Sequence, residues 1–466
     1  MLNEERYFDS NPAVRKIAKE LYDKVKNLPI VSPHGHVDPK LFAQNKPFPD
    51  PTELFIIPDH YIYRMLYSQG YSLEELGIPT IDGSPVENDG RKIWQIFADN
   101  FYLYSGTPTG AWLTQEFEEV FGIDEKLNGK NAQKVYDQML EKLQSPEFLP
   151  RTLFEKFNIE VLSTTDAASD NLEYHKQIKD SGWTGNIIPT FRPDAVVNIL
   201  ADNWKEEIQK LSSVENVDIS DYKTFVKVIE SRREYFKKMG AVATDQGVLS
   251  PYTHKLSESE ADAIFQRALK GMATEDDEKK FIGNMLMEMA RMSSEDGLVM
   301  QIHPGVLRNH NEEIFKKFGL DKGGDIPIQT EYTYNMHELL NAFGNHPNFK
   351  VIVFTLDETT YARELAPLAG HYPAMKLGPA WWFNDSIQGM RRFREMTTET
   401  AGFYNTVGFN DDTRAFLSIP ARHDLARRVD CNFLARQVSE HIMDIEDAHN
   451  ISYQLANGLV KKAYNL

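Results

Sequence analysis

Short apolar segments that end in polar residues recur along this chain, and amphipathic helical stretches separate most of them. Eight segments of this kind can be read from the sequence: Leu28–Val31, Ile159–Ser163, Ile187–Phe191, Ala241–Ala243, Leu298–Ile302, Val351–Phe354, Ala374–Leu377 and Thr406–Phe409. Alternating strands and helices are typical of α/β folds with parallel strands. An open doubly wound sheet uses the same units, but eight of them favour closure. We therefore predict an α/β fold, a distorted (β/α)8 barrel of the TIM type.

The helical stretches between these segments have apolar residues at intervals of three and four. One begins at Pro12 and continues to Leu28, and others are Ala195–Leu211, Lys280–Met292, Met336–Phe343 and Phe433–Ile442. Such helices are expected to pack their apolar faces against the strands.

The first two predicted strands are much further apart in sequence than a normal crossover connection requires. We predict three parts: residues 1–37 with the N-terminal helix and the first barrel strand, residues 38–158 as a mostly helical insertion that caps the barrel mouth, and residues 159–466 as the remainder of the barrel.

The net charge of −18 argues against nucleic acid or an anionic membrane as the main partner, since both require a cationic surface. Cys431 is the only cysteine, which excludes an intramolecular disulfide and fits a reducing compartment. The first residues lack the basic and apolar regions of a signal peptide, and no apolar run reaches the length of a membrane span. We expect a soluble, cytoplasmic protein. Any anionic substrate would need a local cluster of positive charge.

A parallel barrel places its site at the C-terminal ends of the strands, so the polar residues there are candidates for chemistry. His34 and His36 follow the first strand, and two histidines separated by one residue can converge on one metal ion. By itself the pair is as consistent with a structural role as with metal binding. Asp412 and Arg414 follow the eighth strand in the same spacing, with a surface salt bridge as the alternative and Asp411 as a competing acid.

Further candidates lie at other strand ends and in the insertion. His303 ends the fifth strand, where ligation and packing are equally consistent with the sequence, and Arg192 follows the third, where it can hold a carboxylate or pair with a neighbouring acid. His60 and Tyr61 lie in the insertion, where a tyrosine hydroxyl can relay protons, although helix packing is the simpler interpretation. Trp381 can wall a sugar site or pack in the core.

The order and spacing of these motifs resemble the uronate isomerase (glucuronate isomerase) family of the amidohydrolase superfamily, nearly from end to end. The motifs that carry the resemblance are Pro33-His34-Gly35-His36, Asp59-His60-Tyr61 with Arg64, Thr164-Thr165-Asp166, Arg192-Pro193-Asp194, Gln301-Ile302-His303 with Leu307-Arg308-Asn309, Trp381-Trp382-Phe383, Asp412-Thr413-Arg414-Ala415-Phe416 and Arg422-His423.

The resemblance implies a distorted (β/α)8 barrel that interconverts D-glucuronate and D-fructuronate, and D-galacturonate and D-tagaturonate, through a cis-enediol. It also implies one divalent metal ion, with zinc as the expected metal, held by His34, His36 and Asp412. Asp412 is then also a catalytic group. The expected partner is a small hexuronate, and the protein is expected to be a homo-oligomer.

The remaining residues receive roles through the same resemblance. Arg192 is implied as the clamp for the substrate carboxylate, and Arg414 as a catalytic group on the sugar oxygens. Tyr61, with His60, is implied as the proton shuttle. His303 and Trp381 are implied as substrate-binding residues, and direct ligation of the metal by His303 stays open.

The sequence departs from the family pattern at two places. Gln246 stands where many relatives have a histidine, which concerns a peripheral contact of the site. The segment from Arg422 to Arg428 lacks the aromatic residues that usually lie between its basic ends. For this basic segment the sequence slightly favours a solvated, salt-bridged helix start over a role in the site.

Two other classes of function use the same residues. A metal-dependent hydrolase can be built from the same histidines and Asp412. No lysine ends the fourth strand and no histidine ends the sixth, where Thr355-Leu356-Asp357 stands, which weakens a binuclear hydrolase and leaves a mononuclear one open. A sugar-acid binding protein is the third option, but it has no use for an acid beside a metal.

Overall fold

The computed structural model describes residues 2–466. Its strands are β1 (Ile30–Ser32), β2 (Ile159–Ser163), β3 (Asp166–Ala167), β4 (Ile187–Ile188), β5 (Phe191–Arg192), β6 (Ala243–Val248), β7 (Val299–Pro304), β8 (Val306–Leu307), β9 (Ile326–Pro327), β10 (Val351–Val353) and β11 (Met375–Leu377). The predicted α/β class is confirmed.

The long strands are parallel and follow one another in the order of the chain. One sheet has the order β1-β2-β4 and a second has the order β11-β10-β7-β6-β5-β3, while β8 and β9 form a small antiparallel pair. Backbone hydrogen bonds continue from the first sheet into the second, since Thr164 N donates to the carbonyl of Ile188 (2.9 Å) and Asp166 N to that of Thr190 (3.0 Å). β3 therefore continues β2 from the first sheet into the second, and β5 likewise continues β4.

The predicted eighth strand, Thr406–Phe409, contributes a single parallel bridge between Leu377 and Thr406. Beyond it, the His36 amide donates to the carbonyl of Thr413 at 2.9 Å. A backbone hydrogen bond thus joins the residues that follow β1 to the residues that follow the predicted eighth strand.

A central apolar cluster lies between the strands. Its buried members are Val31, Val161, Ile188, Ala243, Val299, Val306, Ile352, Phe354, Leu356, Trp381, Val407, Val460, Ala463 and Tyr464. Most of them come one from each strand, and the last three come from a helix that packs against the cluster from one side.

The helices are α1 (Pro12–Val25), α2 (Lys40–Gln44), α3 (Pro51–Phe55), α4 (His60–Tyr67), α5 (Gly90–Asp99), α6 (Pro108–Gln115), α7 (Ala132–Leu143), α8 (Pro150–Lys156), α9 (Glu173–Asp180), α10 (Asp194–Val197), α11 (Trp204–Glu215), α12 (Tyr222–Met239), α13 (Glu258–Leu269), α14 (Glu275–Asp296), α15 (Glu312–Phe318), α16 (His337–Phe343), α17 (Ala366–His371), α18 (Ile387–Ala401), α19 (Ile419–Ser439), α20 (Ile445–Tyr453) and α21 (Leu459–Tyr464). Short 3-10 segments lie at Phe101–Tyr104, Pro146–Phe148, Trp382–Asn384, Phe403–Asn405 and Phe416–Ser418, and π-helical turns at Glu116–Val120, Tyr361–Leu365 and Gln454–Gly458.

Several boundaries differ from the sequence prediction. The Ala195–Leu211 stretch is split into α10 and α11 by residues 198–203, and the Phe433–Ile442 stretch is the end of α19, which begins at Ile419. The strand predicted to end at Ala243 begins there instead and continues to Val248. Apolar periodicity missed the start of α19 and the end of β6 because buried polar residues such as Arg422 and Asp245 interrupt it there.

The insertion has an apolar core of its own, centred on aromatic residues such as Phe55, Trp94 and Phe117. That core continues without a break into residues of the first strands, including Ile30 and Leu162. The division at residues 37/38 and 158/159 stays a prediction.

Within residues 2–466, no helix combines the length and the apolar character that crossing a membrane requires.

Candidate active site

A cleft of about 730 Å³ lies at the C-terminal ends of the strands. The structure brings all nine residues of the predicted site to its wall: His34, His36, His60, Tyr61, Arg192, His303, Trp381, Asp412 and Arg414. They come from the two ends of the chain, from the middle strands and from the insertion.

Three of these side chains converge at the base of the cleft. Asp412 Oδ1 lies 3.0 Å from His36 Nε2 and 3.4 Å from His34 Nε2. Ligand atoms about 2.0–2.2 Å from a tetrahedral zinc ion lie at this kind of separation from one another. The spacing of His34, His36 and Asp412 fits a metal site.

A second group of potential ligands shares His34 with the first. It consists of His34, Asp245 and His303. His303 Nδ1 donates to Asp245 Oδ1 at 2.6 Å, and the rings of His34 and His303 stack with centroids 4.7 Å apart. Since Nδ1 pairs with Asp245, Nε2 is the nitrogen of His303 that remains for a ligand.

Two buried atoms of the site need a partner that residues 2–466 do not supply. His303 Nε2 and Asp412 Oδ1 are both buried and lack a hydrogen bond from any described residue. Buried polar atoms are rarely left in this state unless an ion or a ligand completes them. The imidazole nitrogen and the carboxylate oxygen without partners are ligand atoms that suit a divalent cation. The site therefore contains a buried His/Asp group that can bind a metal.

The charges of the group favour an anionic Asp412. Burial alone would raise its pKa, but His34 and His36 outweigh burial and hold the pKa of Asp412 well below its usual range. Its other oxygen, Oδ2, accepts a hydrogen bond from Trp381 Nε1. Asp412 also has a φ of 41°, a left-handed conformation that only a few non-glycine residues adopt.

The neighbouring acid, Asp411, is held elsewhere. Its Oδ2 accepts from His423 Nε2 at 2.9 Å. The competition between the two aspartates that the sequence left open is therefore decided by geometry: Asp412 joins the histidines of the first strand, and Asp411 joins helix α19.

Arg192 is pinned between two acids. Its Nε donates to Asp194 Oδ2 at 2.7 Å, and its Nη1 lies 3.3 Å from Asp245 Oδ2. Burial would lower the pKa of Arg192, but Asp194 and Asp245 raise it above its usual value, so the guanidinium is always charged. Asp194 also accepts from the amide of Gly247, which fixes the pair at one edge of the cleft.

The insertion contributes His60 and Tyr61 through the start of α4. Asp59 caps this helix by accepting from the Tyr61 amide at 2.8 Å, which places both residues in the first turn. Their rings stack with centroids 4.6 Å apart. Burial lowers the pKa of His60 to about 3, with help from Arg414, and burial raises the pKa of Tyr61 far above its usual value. Both are neutral at physiological pH.

Arg414 forms a weaker ion pair than Arg192, the other arginine among the nine predicted site residues. Its side chain is 39% exposed, and its Nη2 lies 3.6 Å from Asp321 Oδ2. It can turn toward a ligand in the cleft without leaving a buried carboxylate unpaired.

The basic segment at the start of α19 is salt-bridged, as the sequence indicates, but the prediction that it is solvated is wrong, because its basic residues are buried. Arg422 and His423 are buried, and Arg422 donates to Asp385 Oδ2 at 2.7 Å and stacks on Trp112. Arg422 also lines the cleft, whereas Gln246 does not. Gln246 is buried and donates to Thr244 Oγ1 at 2.9 Å, so the departure at this position falls outside the cleft.

Sequence reasoning missed Asp245, which contacts both Arg192 and His303. The signal was present, because Asp245 belongs to the polar residues after the fourth apolar segment.

An α/β fold with histidines and an aspartate converging at the strand ends defines the class of protein as one whose cleft contains a His/Asp site that can bind a metal. The family model described as glucuronate isomerase matches residues 4–460. A uronate isomerase from Nostoc punctiforme is 56% identical over 467 residues, which cover 100% of this chain and 98% of that protein. The chain belongs to the glucuronate isomerase family.

Solved structures agree with this assignment. A glucuronate isomerase from Caulobacter crescentus superposes with a TM-score of 0.98 at 50% identity, covering 100% of this chain and 97% of that one. A uronate isomerase from Thermotoga maritima gives a TM-score of 0.92 at 29% identity, with coverage of 100% and 99%. The chain is an enzyme with uronate isomerase activity, an aldose–ketose isomerase, and the prediction of this function is confirmed.

Proposed function

We propose that the cleft isomerises D-glucuronate to D-fructuronate and D-galacturonate to D-tagaturonate through a cis-enediol. The observation that carries the proposal is the convergence of His34, His36 and Asp412 in a cleft that is also lined by four arginines, Arg192, Arg308, Arg414 and Arg422. The proposal is supported because candidate metal ligands, an anionic acid and cationic side chains lie within reach of one small sugar acid.

One divalent metal ion, which we take to be zinc, would be held by His34, His36 and Asp412. When bound, it would act as a Lewis acid that lowers the pKa of a substrate hydroxyl. His303, with its unpaired Nε2, is an additional group that faces the same region.

The reaction moves one proton from C2 to C1 and another from O2 to O1, and these transfers fall to residues of the chain. Asp412 is anionic, so it can accept the hydroxyl proton that opens the sugar ring and carry the carbon-bound proton from C2 to C1. Tyr61 remains a phenol and can donate to one sugar oxygen while accepting from the other. His60 stacks on Tyr61 and holds its ring in place.

Local positive charge accounts for an anionic substrate on a protein with a net charge of −18. Arg192 is fixed by Asp194 and keeps hydrogens on its two Nη atoms for the carboxylate of the sugar. Arg414 reaches the sugar oxygens, and Trp381 closes the site beside Asp412, where it excludes water.

The finer architecture is also part of this proposal: a closed, distorted (β/α)8 barrel with residues 38–158 as its cap. Support comes from the central cluster, to which nearly every strand contributes, and from the backbone hydrogen bond between His36 and Thr413. We further propose a homo-oligomer in the cytoplasm, which sedimentation analysis and cell fractionation can test.

The assignment of Asp412 can be tested by incubating the enzyme with D-glucuronate in D2O and following the ketose by NMR. We expect the native protein to form fructuronate and Asp412→Asn to lose at least a factor of about 100 in kcat, since the amide cannot accept the proton. Deuterium at C1 of the product reports the carbon-bound transfer.

Asp411→Asn is the matched control, because it removes the same charge from the adjacent residue that contacts His423 instead of the metal ligands. Its kcat is expected to fall much less. Full activity of Asp412→Asn would remove that residue from the mechanism, and no turnover of either uronate by the native protein would overturn the proposed reaction.

A further inference from the structure

Tyr464, in the last helix of the described chain, connects to the candidate metal site through hydrogen bonds. It is fully buried in the central cluster. Its hydroxyl donates to Gln301 Oε1 at 2.8 Å and accepts from Asn410 Nδ2 at 2.7 Å. No part of the mechanism proposed above uses this tyrosine.

Gln301 links Tyr464 to His34. It lies on β7, two residues before His303, so both side chains point to the interior of the fold. Its Nε2 lies 3.4 Å from His34 Nδ1 and 3.4 Å from the carbonyl of Thr244, both long contacts for a hydrogen bond. The chain of contacts is Asn410, Tyr464, Gln301, His34.

The orientation of the Gln301 amide bears on the tautomer of His34, because a donor that faces Nδ1 needs a lone pair on that nitrogen. With Gln301 Nε2 donating to Nδ1, the His34 proton must lie on Nε2, where it faces Asp412 Oδ1 at 3.4 Å. An imidazole that ligates a metal through Nε2 needs a lone pair there, and its proton must then lie on Nδ1. In that state Nδ1–H would face an N–H of Gln301, and two donors would oppose each other.

Rotation of the Gln301 amide by 180° removes this conflict at His34 and gives up the long contact between Nε2 and the Thr244 carbonyl. Oε1 then accepts from His34 Nδ1–H, and Nε2 donates to the oxygen of Tyr464. The Tyr464 hydroxyl can in turn donate to Asn410 if that amide rotates too, because rotation brings Oδ1, which no described residue supplies with a hydrogen bond, to the position that Nδ2 holds here. A tyrosine hydroxyl suits this position because it both donates and accepts, and can pair with either orientation of the amide.

We propose that Gln301 and Tyr464 are positioning residues for the metal ligand His34: the Gln301 amide reverses when the metal binds, and Tyr464 stabilises it in both orientations. This inference rests on the metal site proposed above. Residues that hold the second nitrogen of a ligating histidine typically change metal affinity by about 10–100-fold when they are replaced.

The test measures zinc affinity, by competition with a chromogenic chelator, rather than turnover. Gln301→Met keeps the volume of the side chain but neither accepts nor donates strongly, and we expect its zinc Kd to rise by about 10–100-fold. Gln301→Glu offers an acceptor to both His34 and Tyr464, so it is expected to bind zinc at least as tightly as the native protein. If Gln301 instead donates to His34 in the zinc-bound state, Gln301→Glu should bind zinc more weakly than the native protein, and the proposal is overturned.

Tyr464→Phe tests the outer contact independently, should Gln301→Met fail to fold. We expect its zinc affinity to fall by a smaller factor than that of Gln301→Met. Tyr222→Phe is the matched control, because Tyr222 is also buried and its hydroxyl also accepts from an asparagine amide, that of Asn284, in a helical region outside the cleft. Its zinc affinity should equal that of the native protein.

The outcomes separate the two proposals. Native protein that takes up no stoichiometric zinc would overturn the metal site and this inference together. If the native protein binds zinc and either Gln301→Met or Tyr464→Phe binds it with the same affinity, only the positioning role is overturned. In zinc-loaded protein with 15N-labelled histidine, a proton on His34 Nδ1 that couples to its ring nitrogen is the expected spectroscopic signature, and a proton on Nε2 would contradict it.

Discussion

Single residues in this cleft are held by neighbours that are distant in sequence, and small changes in those neighbours should therefore appear in the chemistry. Arg192 is an example, because the position of its guanidinium depends on Asp194, on Asp245 and on the absence of a side chain at Gly247. A Cβ at Gly247 would lie 2.6 Å from Arg192 Nη2 and 2.9 Å from Asp194 Oδ2. The glycine is needed for this close approach.

Gly247→Ala should therefore displace the guanidinium without unfolding the protein, since the end of an arginine side chain moves easily. We expect the KM for glucuronate to rise by about tenfold, equivalent to about 1.4 kcal/mol of binding, with a smaller change in kcat. Steady-state kinetics measure both. Gly324→Ala is the control, because its Cβ would meet only Asn311, at 3.7 Å. An unchanged KM in Gly247→Ala would argue against Arg192 as the carboxylate clamp.

At the scale of elements, the insertion brings acidic groups into an apolar environment beside the cleft. The π-helical turn Glu116–Val120 places Glu116, which is 3% exposed, on the wall of a second cavity of about 420 Å³. Burial raises the pKa of Glu116 to about 8, and Asp59 acts in the same direction while Arg422 opposes it. The folded state therefore keeps this proton at pH values where the unfolded chain has released it.

The stability of the native protein should consequently contain a component that falls as pH rises. Between about pH 5 and pH 8 the folded state binds more protons at Glu116 than the unfolded state, so the free energy of unfolding decreases with pH. Glu116→Gln lacks this component, and its stability relative to the native protein should increase by up to about 4 kcal/mol over that range. Denaturant unfolding at several pH values measures it.

Glu141→Gln, at an exposed position of α7, is the control and should show no such pH dependence relative to the native protein. Parallel pH profiles for the native protein and Glu116→Gln would mean that Glu116 titrates near its ordinary pKa in the folded state.

At the scale of the whole molecule, the two ends of the chain meet around the central cluster. Helix α1 packs on α19 and α20 through Leu21 and Leu434, and Arg427 donates to the carbonyls of Lys26 and Leu28 just before β1. Helix α21 adds Val460 and Tyr464 to the interior. The proposed closure of the barrel depends on these long-range contacts.

Closure can be measured by hydrogen exchange. In a closed barrel the His36 amide, which donates to Thr413, is protected in the same way as amides of the central strands β7 and β10. We expect peptides that span residues 30–37 to exchange as slowly as those that span residues 299–304. Exchange of the His36 amide as fast as that of an exposed loop would indicate an open edge between the first and the eighth segment.

The sequence by itself determined the α/β class, the positions of most strands and the site residues that follow strand ends. It could do so because apolar segments, helical periodicity and the polar residues that follow strands are local properties. The spacing of His34 and His36 is of this kind, as is the resemblance carried by the motifs in their order along the chain.

Tertiary structure alone decided which of these residues act together. Nothing local distinguishes Asp412 from Asp411, and only the packing of α19, which holds Asp411 against His423, leaves Asp412 to the histidines. Asp245, Gln301 and Tyr464 also have contact partners that lie far away in sequence. Hydrogen bonds and charge pairs depend on distances in space, and a sequence pattern reports only distances along the chain.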